Sequence, residues 1–330
     1  MNARRQNRWL AWIVLLAMVG SIVALALVMF RRENVPAGPT MHVEGGAGWP
    51  RTLIERFPNG KEGRRLVLPS PPQRIVSVTL ATDEMLLDMV RTNRIIALSE
   101  LAPRPGSLVT DRIGSIKHFV SADVESIIAL EPDLCFLASY NRAETRSLLI
   151  DSGVPVCVFR NFQCLDDVRS NIRTVGRAVG AEGDAERLIS EMDRKIDAVR
   201  QQLPPLEQWP SALVYDESGW VSGKDTVQAG VFEAAGLRNA ATEAGITGYA
   251  QVSEEQVLDM NPDYLVVVAR RTVGVDHHAW LVEDPALAPL RAIREKRFLA
   301  IDESLFSTVS HHIADTIVAL AHQVHPIRIP

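Results

Sequence analysis

The stretch Val124-Glu125-Ser126-Ile127-Ile128-Ala129-Leu130-Glu131-Pro132-Asp133 runs straight into the apolar segment Leu134 to Ala138. It returns 130 residues later as Glu254-Glu255-Gln256-Val257-Leu258-Asp259-Met260-Asn261-Pro262-Asp263, followed by Tyr264 to Ala269. In each copy the apolar residues (Ile127, Ile128 and Leu130; Val257, Leu258 and Met260) predict a short helix with one face turned to a core. The segments after each Pro-Asp are too short and too apolar for anything but buried strands. The unit is written twice, so two similar lobes are expected. Glu125 and Glu255, each seven residues before its proline, fall on the outward face near the helix start.

Working outward, strands are expected at 74–78, 95–99 and 154–159 in the first half and at 212–215 and 297–301 in the second. Helices are expected between them at 83–91, 144–152 and 226–235, with a closing helix at 310–324. This alternation predicts an α/β protein with mainly parallel sheets covered on both faces. Thr52 to Ile54 and Arg65 to Leu68 read as a hairpin, because Asn59-Gly60 supplies the positive φ of a tight turn.

Between the halves the pattern is helical without strand signals. Val168, Ile172, Val175 and Val179 repeat up to Gly180, and Ala185, Leu188, Ile189, Met192, Ile196 and Val199 repeat up to Pro204-Pro205. The second helix, about 184–203, would be about 30 Å long and could join the lobes across a cleft. The expected organisation is a stub and membrane segment at 1–30, a Gly/Pro-rich linker without apolar periodicity at 31–48, and a first lobe at 49–168. A helical segment at 169–205 and a second lobe at 206–330 complete it.

Residues 9–30 carry no charge and would span about 33 Å as a helix, enough for a bilayer core of about 30 Å. Arg4, Arg5 and Arg8 precede this run and Arg31 and Arg32 follow it. The basic bias puts the N-terminus in the cytoplasm and the body outside, with an uncleaved anchor from Trp9 to Phe30. A cleavable signal peptide ending at Ala24-Leu25-Ala26 is the alternative. No cysteine follows to carry a lipid. Cys135 and Cys157 read as buried free thiols, with a bridge between them as the alternative, and Cys164 falls in a loop.

With 330 residues, 47% hydrophobic and 23% charged, the composition is that of an ordinary globular protein. The net charge of -5 argues against a nucleic-acid partner. No Gly-x-Gly-x-x-Gly or phosphate loop occurs, Ser218-Gly219 lacks a nucleophile elbow, and no nucleophile, base and orienting acid pair by spacing. Neither a cofactor nor a catalytic role is expected.

Pro72-Gln73-Arg74-Ile75-Val76-Ser77, the first repeat through Leu134, Gly153-Val154-Pro155-Val156, Ser253 to Leu258 and the closing helix together resemble one family over about residues 50 to 325. It is the substrate-binding proteins of ABC importers for ferric siderophores, haem and cobalamin. The resemblance implies two α/β lobes joined by one long helix, ligand held in the cleft, and little hinge motion. It also implies a permease dimer, driven by a cytoplasmic ATPase, whose arginines meet one glutamate from each lobe. Glu125 and Glu255 match those glutamates by position. Taken singly, either could merely favour a helix N-terminus.

Ligands of open α/β sheets meet the loops at the carboxyl ends of strands. Those loops are expected to carry Tyr140, Asn141, Arg142, Arg160 and His118 in the first lobe. In the second they carry Trp220, Tyr249, Arg270, Arg271 and Phe306. Aromatic faces suit a large conjugated ligand and guanidinium forks suit carboxylate, catecholate or hydroxamate oxygens, which favours an anionic ferric chelate. Cobalamin would need chiefly aromatic and neutral polar contacts, and haem through Tyr140, Tyr249 or His118 is a further alternative. A membrane-anchored sensor or scaffold without transport is another class. No metal site is expected: His277-His278 lies beyond a strand, and His311-His312, His322 and His325 read as surface residues.

Overall fold

A computed structural model of the chain describes residues 40–44, 48–57, 59–105, 107–138, 141–159, 162–269 and 279–328. The expected anchor Trp9–Phe30 lies outside them, and among the described residues no helix is long and apolar enough to cross a membrane. The described residues all belong to one compact unit, Ala37–Pro330.

The linker expectation needs correction at its end. Thr40–Glu44 forms strand β1, antiparallel to β2 (Arg51–Arg56), which pairs in turn with β3 (Glu62–Leu68) through the anticipated hairpin. Met41 and Val43 are buried while His42 between them is exposed. That alternation is too short to stand out against the surrounding Gly and Pro, and it becomes a strand because β2 offers an open edge.

Among the described residues the first lobe is a five-stranded parallel sheet of order β6-β5-β4-β7-β8. Its strands are β4 (Ile75–Ser77), β5 (Ile95–Ser99), β6 (His118–Val120), β7 (Leu134–Ala138) and β8 (Val156–Phe159). Its helices are α1 (Leu80–Met89), α2 (Val124–Ala129) and α3 (Ala143–Asp151). Two helices follow, α4 (Leu165–Val179) and α5 (Glu182–Arg200). Gly180 ends α4 at φ +74°, and a Cβ there would meet the Trp49 ring at 3.1 Å, so only glycine suits the position. Helix α5 buries Ala185, Leu188, Ile189, Met192, Ile196 and Val199, the set its periodicity marks.

Among the described residues the second lobe is a four-stranded parallel sheet of order β11-β9-β13-β14, from β9 (Ser211–Val214), β11 (Arg238–Asn239), β13 (Tyr264–Ala269) and β14 (Phe298–Asp302). Beside it lies an antiparallel ribbon of β10 (Trp220–Ser222) and β12 (Tyr249–Gln251). The helices are α6 (Val227–Ala234), α7 (Ala240–Glu243), α8 (Glu254–Met260), α9 (Ala279–Glu283), α10 (Arg291–Arg294), α11 (Glu303–Ser307) and α12 (Ile313–Val324).

Three apolar clusters hold these layers. One lies under α2 and α3 on the outer face of the first sheet and includes Val76, Leu137 and Leu149. One lies under α8 to α10 on the outer face of the second and includes Leu213, Val257 and Leu265. The third is continuous through both lobes: Leu86 and Phe136 of the first, Ile172 and Ile196 of α4 and α5, and Phe232 and Ile317 of the second belong to it. The lobes therefore share one interior on their inner faces.

The repeat explains itself locally. Glu131 (φ 46°) and Asn261 (φ 35°) end α2 and α8 in the left-handed region, and the proline after each cannot continue a helix. The aspartate then secures the neighbouring strand. Asp133 accepts from the Gln73 and Arg74 backbone N–H groups at 2.6 and 2.8 Å, at the entry to β4. Asp263 accepts from the Ser211 N–H at 2.8 Å, at the entry to β9, and from its hydroxyl at 3.1 Å.

Cys135 and Cys157 are free and buried. Cys135 stands opposite Val156 and Phe136 opposite Cys157, so the two thiols are one register step apart and face opposite sides of the sheet. Burial pushes Cys157 up to about 12 and Cys135 also upward.

Candidate functional site

A helix that follows a parallel strand begins at that strand's carboxyl end, so the N-terminal ends of α1, α3 and α4 gather at the carboxyl edge of the first sheet and that of α11 lies at the carboxyl edge of the second. At the first lobe Thr79 caps α1, its Oγ1 accepting from the Thr82 N–H at 3.2 Å. Ser77, Thr79 and Thr82 join hydroxyl to hydroxyl at 2.6 and 2.8 Å. Asp83 is fully buried behind them and accepts from the Ser99 N–H and hydroxyl. Burial raises its carboxyl to about 7 against these hydrogen bonds.

Asn141 closes the carboxyl end of β7. Its Oδ1 accepts from the Ala138 N–H at 2.8 Å and its own N–H donates to the Ala138 carbonyl at 3.0 Å. Arg142 beside it is exposed at the start of α3. Tyr140, Arg160, Arg270 and Arg271 lie outside the described residues.

Trp220 and Tyr249 are not on open loops as expected; they are strand residues of the β10–β12 ribbon. Trp220 stands opposite Gln251 and Ser222 opposite Tyr249, so both rings project from the same face as diagonal neighbours. Stretches of three residues give no legible alternation, so nothing in the sequence marks the ribbon. Tyr249 donates its hydroxyl to Gln228 Oε1 at 2.7 Å, on the first turn of α6. Gln228 was not anticipated. Phe306, half-buried on α11, lines with Gln228 a cavity of about 20 Å³, room for a single water and no more.

His118 also departs from expectation. It begins the edge strand β6 opposite Ala97, in the middle of β5, and is not on a carboxyl-edge loop. Its exposed side chain sits on a segment too short to read as a strand.

Glu125 and Glu255 occupy equivalent places. Each is the second residue of its helix, exposed, behind a capping side chain: Asp123 accepts from the Ser126 N–H, and Ser253 and Gln256 form a capping box. Their helices pack on the apolar clusters of the outer faces of the two sheets, through Ile127 and Val257.

The lobes also meet through polar groups that the sequence did not reveal. Glu84 of α1, fully buried, accepts hydrogen bonds at Oε2 from the Thr308 hydroxyl at 2.6 Å and from the Ser310 hydroxyl. Burial pushes its carboxyl up, and the two hydroxyls oppose that. One helical turn on, Asp88 is gripped by the Arg112 guanidinium and lies 3.1 Å from His311 Nε2. Burial alone would raise Asp88, but His311 and Arg112 outweigh it and hold the carboxyl well below its ordinary value. His311 and His312 are not surface residues: their side chains are 10% and 21% exposed and their ring centroids lie 4.0 Å apart at a tilt of 37°.

Residues 75–305 match the family model described as periplasmic binding protein. The chain belongs to the periplasmic binding protein family. Among curated relatives, the cobalamin-binding protein of Halobacterium salinarum is 22% identical over 309 residues, 92% of this chain and 83% of that one. The uncharacterized ABC transporter substrate-binding lipoprotein YvrC of Bacillus subtilis is 22% identical over 264 residues, 77% and 81% of the two chains. Among solved structures, the periplasmic heme-binding protein RhuT from Roseiflexus sp. RS-1 superposes with a TM-score of 0.66 at 24% identity, over 77% of this chain and 99% of that one. A periplasmic binding protein from Veillonella parvula gives 0.71 at 20% identity, over 86% and 100%.

Proposed function

We propose that this protein is the substrate-binding component of an ABC importer, working outside the cytoplasmic membrane on a large metal chelate held between its lobes. The observation that carries this reading is the pairing of a two-lobed body with one exposed glutamate at the same helical position on each lobe. Two matched anionic points fix a register as well as attract, which is what docking on a dimeric permease requires. The matched family model and the substrate-binding relatives support it. Trp9–Phe30 would keep the body at the membrane surface, and the chain would act as a carrier and not as an enzyme.

For the cargo, the described residues proposed to face the cleft are Trp220, Tyr249, Phe306, Gln228 and Asn141, with the exposed Arg142 beside Asn141. That composition suits a bulky, nearly neutral corrinoid, and a cobalamin-binding relative spans most of the chain. An anionic ferric chelate is the second reading, supported by exposed Arg142 and by the helix N-termini of the first lobe. Titrating the full chain in detergent with cyanocobalamin, haemin and a ferric hydroxamate, read by tryptophan fluorescence, tests both. Saturable quenching by cyanocobalamin that weakens in Trp220→Phe supports the first reading, and saturation only by the hydroxamate supports the second. Binding of none of the three would overturn the proposal.

A further inference from the structure

Beyond the cleft, α1 of the first lobe and the start of α12 of the second meet beside α5 in a compact set of potential metal ligands. One oxygen of Asp88 and one ring nitrogen each of His311 and His312 lie within 4.8 Å of one another. Asp88 Oδ2 is 3.1 Å from His311 Nε2 and 3.8 Å from His312 Nε2. Ligand atoms around a tetrahedral ion with bonds of about 2.0–2.1 Å stand about 3.3–3.5 Å apart, so these spacings bracket the required value.

The hydrogen bonding points the same way. His312 Nδ1 lies 3.3 Å from Asp315 Oδ2 and donates its proton there, which leaves the lone pair on Nε2. That Nε2 is buried, makes no hydrogen bond, and faces the Asp88 carboxylate. In that neutral tautomer a nitrogen lone pair and a carboxylate oxygen are set against each other, and they repel unless a proton or a metal ion lies between them. A carboxylate behind the far nitrogen of a histidine is also how metal-ligating imidazoles are oriented and made more basic. Asp315 is itself fixed by Lys195 of α5, and Arg112 holds the Asp88 carboxylate from the other side.

With the buried Glu84 carboxyl pushed toward its protonated form, the remaining charges stand near balance, so an ion would be held by its ligands more than by net charge. Glu84, Asp88 and Asp315 face Arg112 and Lys195, while Arg187, whose guanidinium donates to the Asp88 carbonyl, is already tied to Asp184 and Glu191. Glu84 Oε1 is buried and makes no hydrogen bond. Imidazole and carboxylate donors without a thiolate suit zinc and its divalent neighbours, not a hard ion such as calcium.

We infer that Asp88, His311 and His312 bind a divalent transition-metal ion of the zinc class, clamping α1 of one lobe to α12 of the other at a place separate from the cargo cleft. His311 would enter as the neutral imidazole, its proton moving from Nε2 to Nδ1 as Nε2 turns to the ion. The clamp is independent of which cargo the cleft takes.

The full chain in detergent, stripped with a chelator and dialysed, is titrated with zinc and cobalt(II) salts. One equivalent of zinc is expected to raise the melting temperature, and cobalt to give the visible absorption of a tetrahedral site. His312→Gln and Asp88→Asn should each bind at least about tenfold more weakly, and Asp315→Asn, which touches no ion, should also weaken binding about tenfold. Melting in chelator shows which variants are folded, and only those are scored. A wild-type chain that neither melts higher with zinc nor colours with cobalt overturns the site. So does a His312→Gln chain that binds like wild type, because the ion would then be on other histidines.

Discussion

Glu84 of the first lobe accepts the Thr308 hydroxyl of the second at 2.6 Å, inside the polar seam that crosses the shared interior. Both residues are buried, Glu84 completely, so bulk water does not compete for the bond in the intact fold. Glu84→Ala leaves the Thr308 and Ser310 hydroxyls without their acceptor. The expected loss is about 1–3 kcal/mol in urea denaturation. Glu84→Gln, which keeps an acceptor oxygen, should lose less. Equal losses for the two variants would mean that packing, and not the hydrogen bonds, sets the contribution.

Asp83 gives the fold a pH dependence of known sign. Its folded-state value of about 7 lies above the ordinary 3.8, because burial outweighs the hydrogen bonds from Ser77 and Ser99. The folded chain holds the proton more tightly than the unfolded one. The protonated carboxyl therefore favours folding fully below about pH 4, and that contribution is lost as pH rises through 7. The stability advantage of wild type over Asp83→Asn should shrink by roughly 2–3 kcal/mol between pH 5 and pH 8, at about 1.4 kcal/mol per unit. A difference that stays level across that range would show that Asp83 keeps its ordinary value in the fold.

Reversing both helix-start glutamates, Glu125→Lys with Glu255→Lys, should abolish uptake in cells while cargo affinity of the purified protein stays within about twofold of wild type. Both side chains are exposed and neither takes part in its helix cap, so the cost to folding should stay within about 1 kcal/mol per site. Each single reversal should leave partial uptake, because one anionic point still attracts but no longer fixes the register. Normal uptake by the double variant would remove the docking role.

Thiol chemistry should single out one cysteine of three. Cys164 is exposed, whereas Cys135 and Cys157 are buried with their thiols pushed upward, the latter to about 12. The native chain should take up one equivalent of a maleimide quickly at pH 7, and Cys164→Ser should take up none until denatured. Fast labelling of Cys164→Ser would place another thiol at the surface.

The α/β scaffold is legible in the sequence because its signals are long or repeated. The strands at 95–99, 134–138 and 264–269 stand where the apolar runs put them, and α5 buries the residues that its periodicity marks. What escaped was short or paired at a distance. β1, β6, β10 and β12 run for five residues or fewer and are strands only because a partner edge lies beside them. Glu84 and Thr308 are 224 residues apart, and neither type at its position announces the other. His311 and His312 read as surface residues because nothing local shows that Asp88 comes to meet them. Of the expected cleft residues, the aromatic pair Trp220 and Tyr249 does come together, though on a ribbon and not on loops.

The apolar cluster that runs unbroken from Leu86 to Ile317 constrains how cargo can leave. Prising the halves apart would wet that interior, at about 2.5 kcal/mol for every roughly 100 Å² of hydrocarbon newly exposed. Wide opening of the halves in free solution is opposed by that cost. Unloading then calls for an outside lever: a partner seated on both halves at once, whose own rearrangement supplies the work.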